Sequence, residues 1–292
     1  MTPDLKDHIA SLLSSTKPLA FKSVGGGSIN EAWQINTGDQ KFFCKINSNN
    51  EYPGLFTREA EGLEAIRNTN CIECPSVISV SAFRDQQVLL LEWIEPGTPQ
   101  TGSWDQFGEH LAKLHAWKDA SVSATNFGFY HDNYMGSLEQ SNTFTHDWCT
   151  FFREQRLEPQ LTLAMKQRLV SPDHLKQFEY LYQKLPGIFS ETSPSLVHGD
   201  LWSGNFLFNE KHHPVLIDPA VYYGIPAIDL AMTTLFGGFD EKFYKAYHYW
   251  SPLPSNYQDQ WTVCNLYPLL IHLNLFGRGY LSSIESGLRR FR

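Results

Sequence analysis

Residues 194–224, PSLVHGDLWSGNFLFNEKHHPVLIDPAVYYG, constrain the rest of the chain more than any other stretch. Two short apolar runs, 206–208 and 215–217, flank the polar turn NEKHHP and predict a β-hairpin. Acidic and amide side chains sit at both ends of that hairpin. His198, Gly199 and Asp200 precede the first strand and lead in five residues to Asn205, and Asp218 lies just past the second strand. A Gly-Asp pair alone is a common turn, and a lone histidine more often packs or caps than catalyses, so His198 reads as structural. The combination of Asp, Asn, strand, turn, strand and a second Asp asks for more than a turn.

That combination is the layout of kinase-type phosphoryl transfer. In such sites the first Asp takes the proton of the acceptor hydroxyl, while the Asn and the second Asp hold Mg²⁺ against the nucleotide phosphates. A hard cation needs oxygen ligands from a rigid, closely spaced frame, which a hairpin supplies. On this reading Asp200 is the base, and Asn205 and Asp218 are the metal ligands.

Length and composition leave room for such an enzyme. At 292 residues and 42% hydrophobic, the chain can bury one large or two moderate cores. Its 31 acidic and 23 basic residues give a net charge of −8, which disfavours nucleic acid and anionic membrane surfaces as partners and mildly favours a cationic substrate. Cysteines 44, 71, 74, 149 and 264 are odd in number and scattered, so they form no disulfide framework; CIEC at 71–74 has half the spacing of a zinc site but no second half. Reduced thiols are the expectation. The N-terminal stretch lacks a basic region leading into a long apolar one, and no run is long enough to span a bilayer, so a soluble cytoplasmic protein is expected.

Taken in order, residues 3–15 carry Leu5, Ile9, Leu12 and Leu13 at helical spacing. The next stretch, FKSVGGGSINEAWQINTGDQKFFCKIN, reads as three antiparallel strands punctuated by Gly25, Gly26 and Gly27 and by a turn at 37–40. Those glycines serve equally as a flexible turn or as a phosphate cradle, in which Ser28 and Asn30 add donors. The third strand brings Lys45 and the helix after it brings Glu59, the two halves of a phosphate-positioning pair if the later motif is taken with them. Two strands follow Pro75, and Glu92, Trp93 and Ile94 end the second, either as an adenine-contacting hinge or as an ordinary buried strand end. From Trp104 onward long helical patterns take over, with Phe107, Leu111 and Leu114 on one face and His115 reading as a packing residue. Residues 128–161 are rich in aromatics and amides, which suits a sugar-binding wall or simply core. Helices are expected over 151–166 and 172–185 and again beyond Gly224.

HGDLWSGN, IDPAVYYG, DLAMTTLFGGF and LYPLLIHLNLFG together resemble the fructosamine/ketosamine kinase family, relatives of the aminoglycoside phosphotransferases, from Gly25 to the C-terminal helices. The resemblance implies an α+β, two-lobe protein kinase-like fold, with a small antiparallel-sheet N-lobe over 1–95 and a larger, mainly helical C-lobe over 96–292. It implies ATP and Mg²⁺ as cofactors and phosphorylation of a sugar hydroxyl on a ketoamine, free or protein-bound. An aminoglycoside- or choline-like acceptor and a nucleotide-binding pseudokinase are the alternatives. The implied roles are Lys45 and Glu59 as the positioning pair and Glu92, Trp93 and Ile94 at adenine, with Gly25, Gly26, Gly27 and Ser28 kept as the candidate phosphate cradle. Asp200 is the implied base, Asn205 and Asp218 the metal ligands, and Trp202 a substrate-side aromatic, with packing as its rival role. One departure stands out: the family usually has a Glu two positions before the acid of the DLAM helix, whereas this chain has Ala227 before Asp229. The expectation is that this changes contacts to the substrate rather than the chemistry.

Overall fold

The computed structural model describes residues 1–15, 17–25, 30–118, 126–190 and 192–291. Helix α1 (Pro3–Leu12) starts where Thr2 caps it, the Thr2 hydroxyl accepting from the Leu5 amide, with a proline in its first turn. It stops short of the expected Ser15 because Ser14 turns into the left-handed region. Strands β1 (Ala20–Val24), β2 (Glu31–Asn36) and β3 (Lys41–Ser48) follow, then α2 (Leu55–Thr69), β4 (Val77–Phe83) and β5 (Gln86–Glu92). They form one antiparallel sheet in the order β1-β2-β3-β5-β4.

The period-two alternation of β3 decides which way its side chains face. Cys44 and Ile46 join Leu5, Ile9, Ile35, Val88 and Leu90 in a small core beneath α1. Lys45 and Phe43 therefore point to the other face, toward α2 and the cleft.

The chain then crosses to a helical body through β6 (Pro96–Gly97) and α3 (Ser103–Ala116), a short hairpin β7 (Asn133–Met135) and β8 (Leu138–Gln140), and α4 (Trp148–Phe151). A π-helical turn, Phe152–Leu157, carries α4 into α5 (Glu158–Lys166). Helix α6 (Pro172–Ile188) runs three residues beyond the expected end, with Pro186 inside its last turn. Strands β9 (Ser195–Val197), β10 (Phe206–Asn209), β11 (Pro214–Leu216) and β12 (Tyr222–Gly224) come next, and helices α7 (Ala227–Thr233), α8 (Glu241–Trp250), α9 (Tyr257–Cys264), α10 (Leu266–Phe276) and α11 (Leu281–Arg289) complete the body. The hairpin β10–β11 pairs Phe206 with Leu216 and Phe208 with Pro214, and β6 adds to its other edge. The expected continuous helix over 151–166 is thus broken by one wide turn, and three-residue strands such as β7 and β8 are too short to leave a periodic signal in the sequence.

Aromatic packing seats the hairpin. Trp104 and Phe107 of α3 meet Phe206 at ring-centroid distances of 5.6 and 5.0 Å, and Phe239 closes the cluster at 4.9 Å. Helix α3 is held against α8 through Gly108, where a Cβ would lie 2.3 Å from the Phe243 carbonyl oxygen. Backbone cannot yield as a flexible side chain does, so Gly108→Ala should destabilise the protein by about 2–3 kcal/mol, read as a lower urea midpoint with an unchanged m-value.

Candidate active site

The loop between β9 and β10 is shaped by its backbone hydrogen bonds. Asp229, fully buried on α7, accepts the amide of His198 on Oδ2 at 2.7 Å and that of Gly199 on Oδ1 at 2.9 Å. His115 Nε2 lies 3.0 Å from the same carboxylate, and its Nδ1 lies 2.8 Å from the Tyr247 hydroxyl. Burial alone would raise the Asp229 carboxyl; the hydrogen bond and charge of His115, with the backbone donors, outweigh it and hold it below its ordinary value of 3.8. Gly199 takes φ +83°, and a Cβ there would lie 2.1 Å from the Ala220 carbonyl oxygen, so only glycine fits. His198 is a strut: Nε2 donates to the Ile217 carbonyl at 2.9 Å while Nδ1 accepts the Asp200 amide at 3.2 Å. Its burial lowers its pKa, which favours the neutral ring this arrangement requires. The strut ties the loop carrying Asp200 to the strand end that delivers Asp218.

Across the cleft, Lys45 Nζ lies 2.8 Å from Glu59 Oε1 and 2.7 Å from Asp218 Oδ1. Burial works to neutralise the ammonium, but Asp218 and Glu59 prevail and hold Lys45 charged, above its usual value. Asp218 itself sits at φ +54°, a strained conformation for a side-chain-bearing residue of the kind found at functional sites. Asn205, 6% exposed, donates from Nδ2 to both the carbonyl and Oδ2 of Asp200 at 2.8 Å. Burial pushes the half-buried Asp200 carboxyl up to about 8, against the pull of Asn205 and with some help from Asp218 and Asp229.

Two adjoining cavities share Lys45, Asn30 and Asp218. One, about 290 Å³, is walled by Val24, Phe43, Leu91, Leu207 and Ile217, with Glu92, Trp93 and Ile94 at one side and Gly25 at the other. The second, about 190 Å³, is lined by Asp200, Trp202, Arg58 and Asn133 among others. Trp202 is 36% exposed and rests edge-on against Phe236 at 5.7 Å, with Gly204 leaving the space its ring fills. It is at once packed and open to the cavity. Gly26, Gly27 and Ser28 lie outside the described residues. The donor set fits Mg²⁺: Asn205 Oδ1 and the Asp218 carboxylate are hard oxygens, and this ion characteristically takes one or two protein ligands and completes its shell with phosphates and water.

Ala227 requires a correction. It is 6% exposed in the first turn of α7 and lines a separate cavity with His115 and Tyr247, behind the loop between β9 and β10. Ala227 itself borders neither half of the cleft. The residues that sequence reasoning passed over as site components are His115, Tyr247 and Asn133. Their only sequence signal is a polar group within an apolar helical face or an aromatic stretch, which packing explains equally well.

A family model described as fructosamine kinase matches residues 1–291. The chain belongs to the fructosamine kinase family. It is a phosphotransferase with an alcohol group as acceptor, in the family that phosphorylates ketosamines. A Synechocystis protein named a probable ketoamine kinase is 40% identical over 287 residues, covering 97% of this chain and 95% of its own. The protein-ribulosamine 3-kinase of Arabidopsis thaliana is 36% identical over 285 residues, covering 97% and 85%. Among solved structures, one from Thermobifida fusca named as a fructosamine-3-kinase superposes with a TM-score of 0.88 at 27% identity, covering 100% of this chain and 99% of that one. An aminoglycoside phosphotransferase superposes with a TM-score of 0.66 at 13% identity over 98% and 97% of the two chains, a likeness of fold alone.

In this family member Asp229 holds the loop between β9 and β10 by charge-assisted hydrogen bonds to backbone, so Asp229→Asn should cost on the order of 3 kcal/mol at neutral pH. Because its folded pKa lies below 3.8, the stabilisation is complete above that value and is lost as pH falls beneath it. Urea denaturation of both proteins from pH 7 downward should show the gap closing only at the acid end.

Proposed function

We propose that the chain transfers the γ-phosphoryl group of Mg-ATP to a sugar hydroxyl of a ketoamine. The observation that carries this reading is the single cleft in which Lys45, bracketed by Glu59 and Asp218, faces the Asp200–Asn205 pair. The apolar cavity suits adenine, whose edge would meet the backbone of Glu92, Trp93 and Ile94. Lys45, fixed as a cation, orients the phosphates, and Glu59 fixes Lys45. Asn205 Oδ1 and Asp218 would hold Mg²⁺, which would supply positive charge against the charge that develops on the transferred phosphoryl group.

Asp200 faces the acceptor. Its Oδ2 is engaged by the Asn205 amide, so Oδ1 receives the proton as the sugar oxygen bonds to the γ-phosphorus and the bond to ADP breaks. A carboxyl raised toward neutrality has the proton affinity that task needs. Trp202 offers its open ring to an apolar sugar face. The names of the Arabidopsis relative and the T. fusca structure specify position 3, and the hydroxyl on the third carbon is the acceptor proposed here. The carrier of the ketoamine is a free or protein-bound amine. No helix among the described residues is long and apolar enough to cross a membrane, and all five cysteines are free thiols, in keeping with a cytoplasmic site of action.

Asp200→Asn should lower turnover by about 10² to 10⁴ while Mg-ATP still binds. Asp218→Asn should weaken the Mg²⁺ dependence of nucleotide binding as well as the rate. Nucleotide titrations with and without Mg²⁺, beside single-turnover transfer, separate the two; near-normal transfer by Asp200→Asn refutes the assignment. Trp202→Ala should raise KM for ketoamine about tenfold at constant KM for ATP. A large drop in Tm with unchanged KM would make the residue purely structural.

A further inference from the structure

Arg156 is fully buried and makes no ion pair among the described residues. The π-helical turn carries it into the core, where its guanidinium lies 4.1 Å from the ring centroid of Tyr222 and 4.6 Å from that of Phe151. Such a residue is expensive to bury without a carboxylate unless its hydrogen bonds are used. Arg156 donates to the carbonyls of Ser141 and Gln155 and, from Nη2 at 2.6 Å, to Asn142 Oδ1.

An arginine donates and never accepts, so it fixes which way round each following amide sits. Asn142 must turn its oxygen to Arg156, and its nitrogen then donates to the His131 carbonyl and to Asn133 Oδ1, each at 3.0 Å. Asn133 Oδ1 also accepts Gln140 Nε2 at 2.7 Å; Gln140 is held in turn by the Ala220 carbonyl and by the Tyr267 hydroxyl, 2.9 Å from its Oε1. Both acceptor positions of the Asn133 oxygen are therefore filled from within. One hydrogen of its Nδ2 goes to the Val221 carbonyl at 2.9 Å, and the other has no acceptor among the described residues. Asn133 is 5% exposed and lines the same cavity as Asp200 and Trp202. A buried amide hydrogen at a cleft wall calls for an oxygen from the ligand.

We infer that Asn133 binds the acceptor sugar, donating from Nδ2 to a second oxygen besides the one phosphorylated, and that Arg156 is the positioning residue that fixes the orientation of that amide. The inference rests on the reading of this cleft as the ketoamine site and narrows it to polyoxygenated acceptors. A simple amino alcohol, with one oxygen, leaves the Asn133 hydrogen unmatched.

The test uses the full chain, Mg-ATP, the glucose-derived ketoamine of Nα-acetyl-lysine, and its monodeoxy sugar analogues. Wild-type enzyme should lose about tenfold in kcat/KM with one deoxy analogue that retains the phosphorylated hydroxyl, the loss expected for one hydrogen bond with its partner left unpaired. Asn133→Asp keeps the acceptors that face Gln140 and Asn142 but removes the donor; KM for the ketoamine should rise about tenfold and KM for ATP stay within about twofold. With the diagnostic deoxy analogue that penalty should vanish. Arg156→Gln should raise KM for the ketoamine alone, and Arg156→Lys, which still donates, should restore it in part. Thermal melting of each variant identifies those that fold. A variant penalty equal across all deoxy sugars, or no deoxy sugar that costs wild-type enzyme more than about twofold, overturns the inference, and the second measurement needs no variant to fold. Absence of any transfer from Mg-ATP to the parent ketoamine would instead refute the kinase reading of the cleft.

Discussion

The buried carboxylate of Asp229, shared between the amides of two successive residues, is the interaction on which the rest of the site depends. Backbone amides directed at one carboxylate fix the path of the chain at His198 and Gly199 more tightly than a side-chain contact does. From that path follow the left-handed turn at Gly199, the His198 strut to Ile217, and the placement of Asp200 above the hairpin. Asp229 can remain charged in the core because His115 of α3 completes its hydrogen bonding, the other ring nitrogen of His115 being held by the Tyr247 hydroxyl of α8. The loop that carries Asp200 is thereby anchored to the helical body, on the side away from the cleft.

The Lys45 side of the cleft is built on the opposite principle. Lys45 and Glu59 belong to β3 and α2, and Asp218 comes from the far end of the hairpin, so a single ammonium bridges elements that are distant in sequence. Glycine again marks the closest approach: a Cβ at Gly62 on α2 would lie 3.2 Å from Val221, three residues past Asp218. The hairpin β7–β8 adds contacts from its own side, with the Tyr134 hydroxyl on the Pro53 carbonyl and His131 beside Glu61. These contacts seat α2, and so Glu59, against the body without reliance on the cleft's contents.

Between the anchored loop and the Lys45 side lies the smaller cavity, lined by Asp200, Trp202 and Asn133 among others. One of its walls is set by a chain of amides whose polarity begins at Arg156. Aromatic rings stand where a counter-ion would otherwise be needed, and the π-helical turn that carries Arg156 lies against them.

Local sequence was enough to determine a good deal. The alternation of β3 sent Lys45 to one face and Cys44 to the other, and the apolar runs about NEKHHP made a hairpin with Asp200, Asn205 and Asp218 at its ends, because strand periodicity and turn chemistry act over a few residues. The family was legible for the same reason, since HGDLW and GN lie within one short segment. Only tertiary structure decided the rest. It made His115 a partner of Asp229 instead of a mere packing residue, moved Ala227 behind the loop, and turned Asn133 toward the cleft. Each of these depends on hydrogen bonds that span well over a hundred residues or on a chain of amides joined end to end, and the orientation of a side chain in such a network is fixed by partners that its own neighbours in sequence do not name.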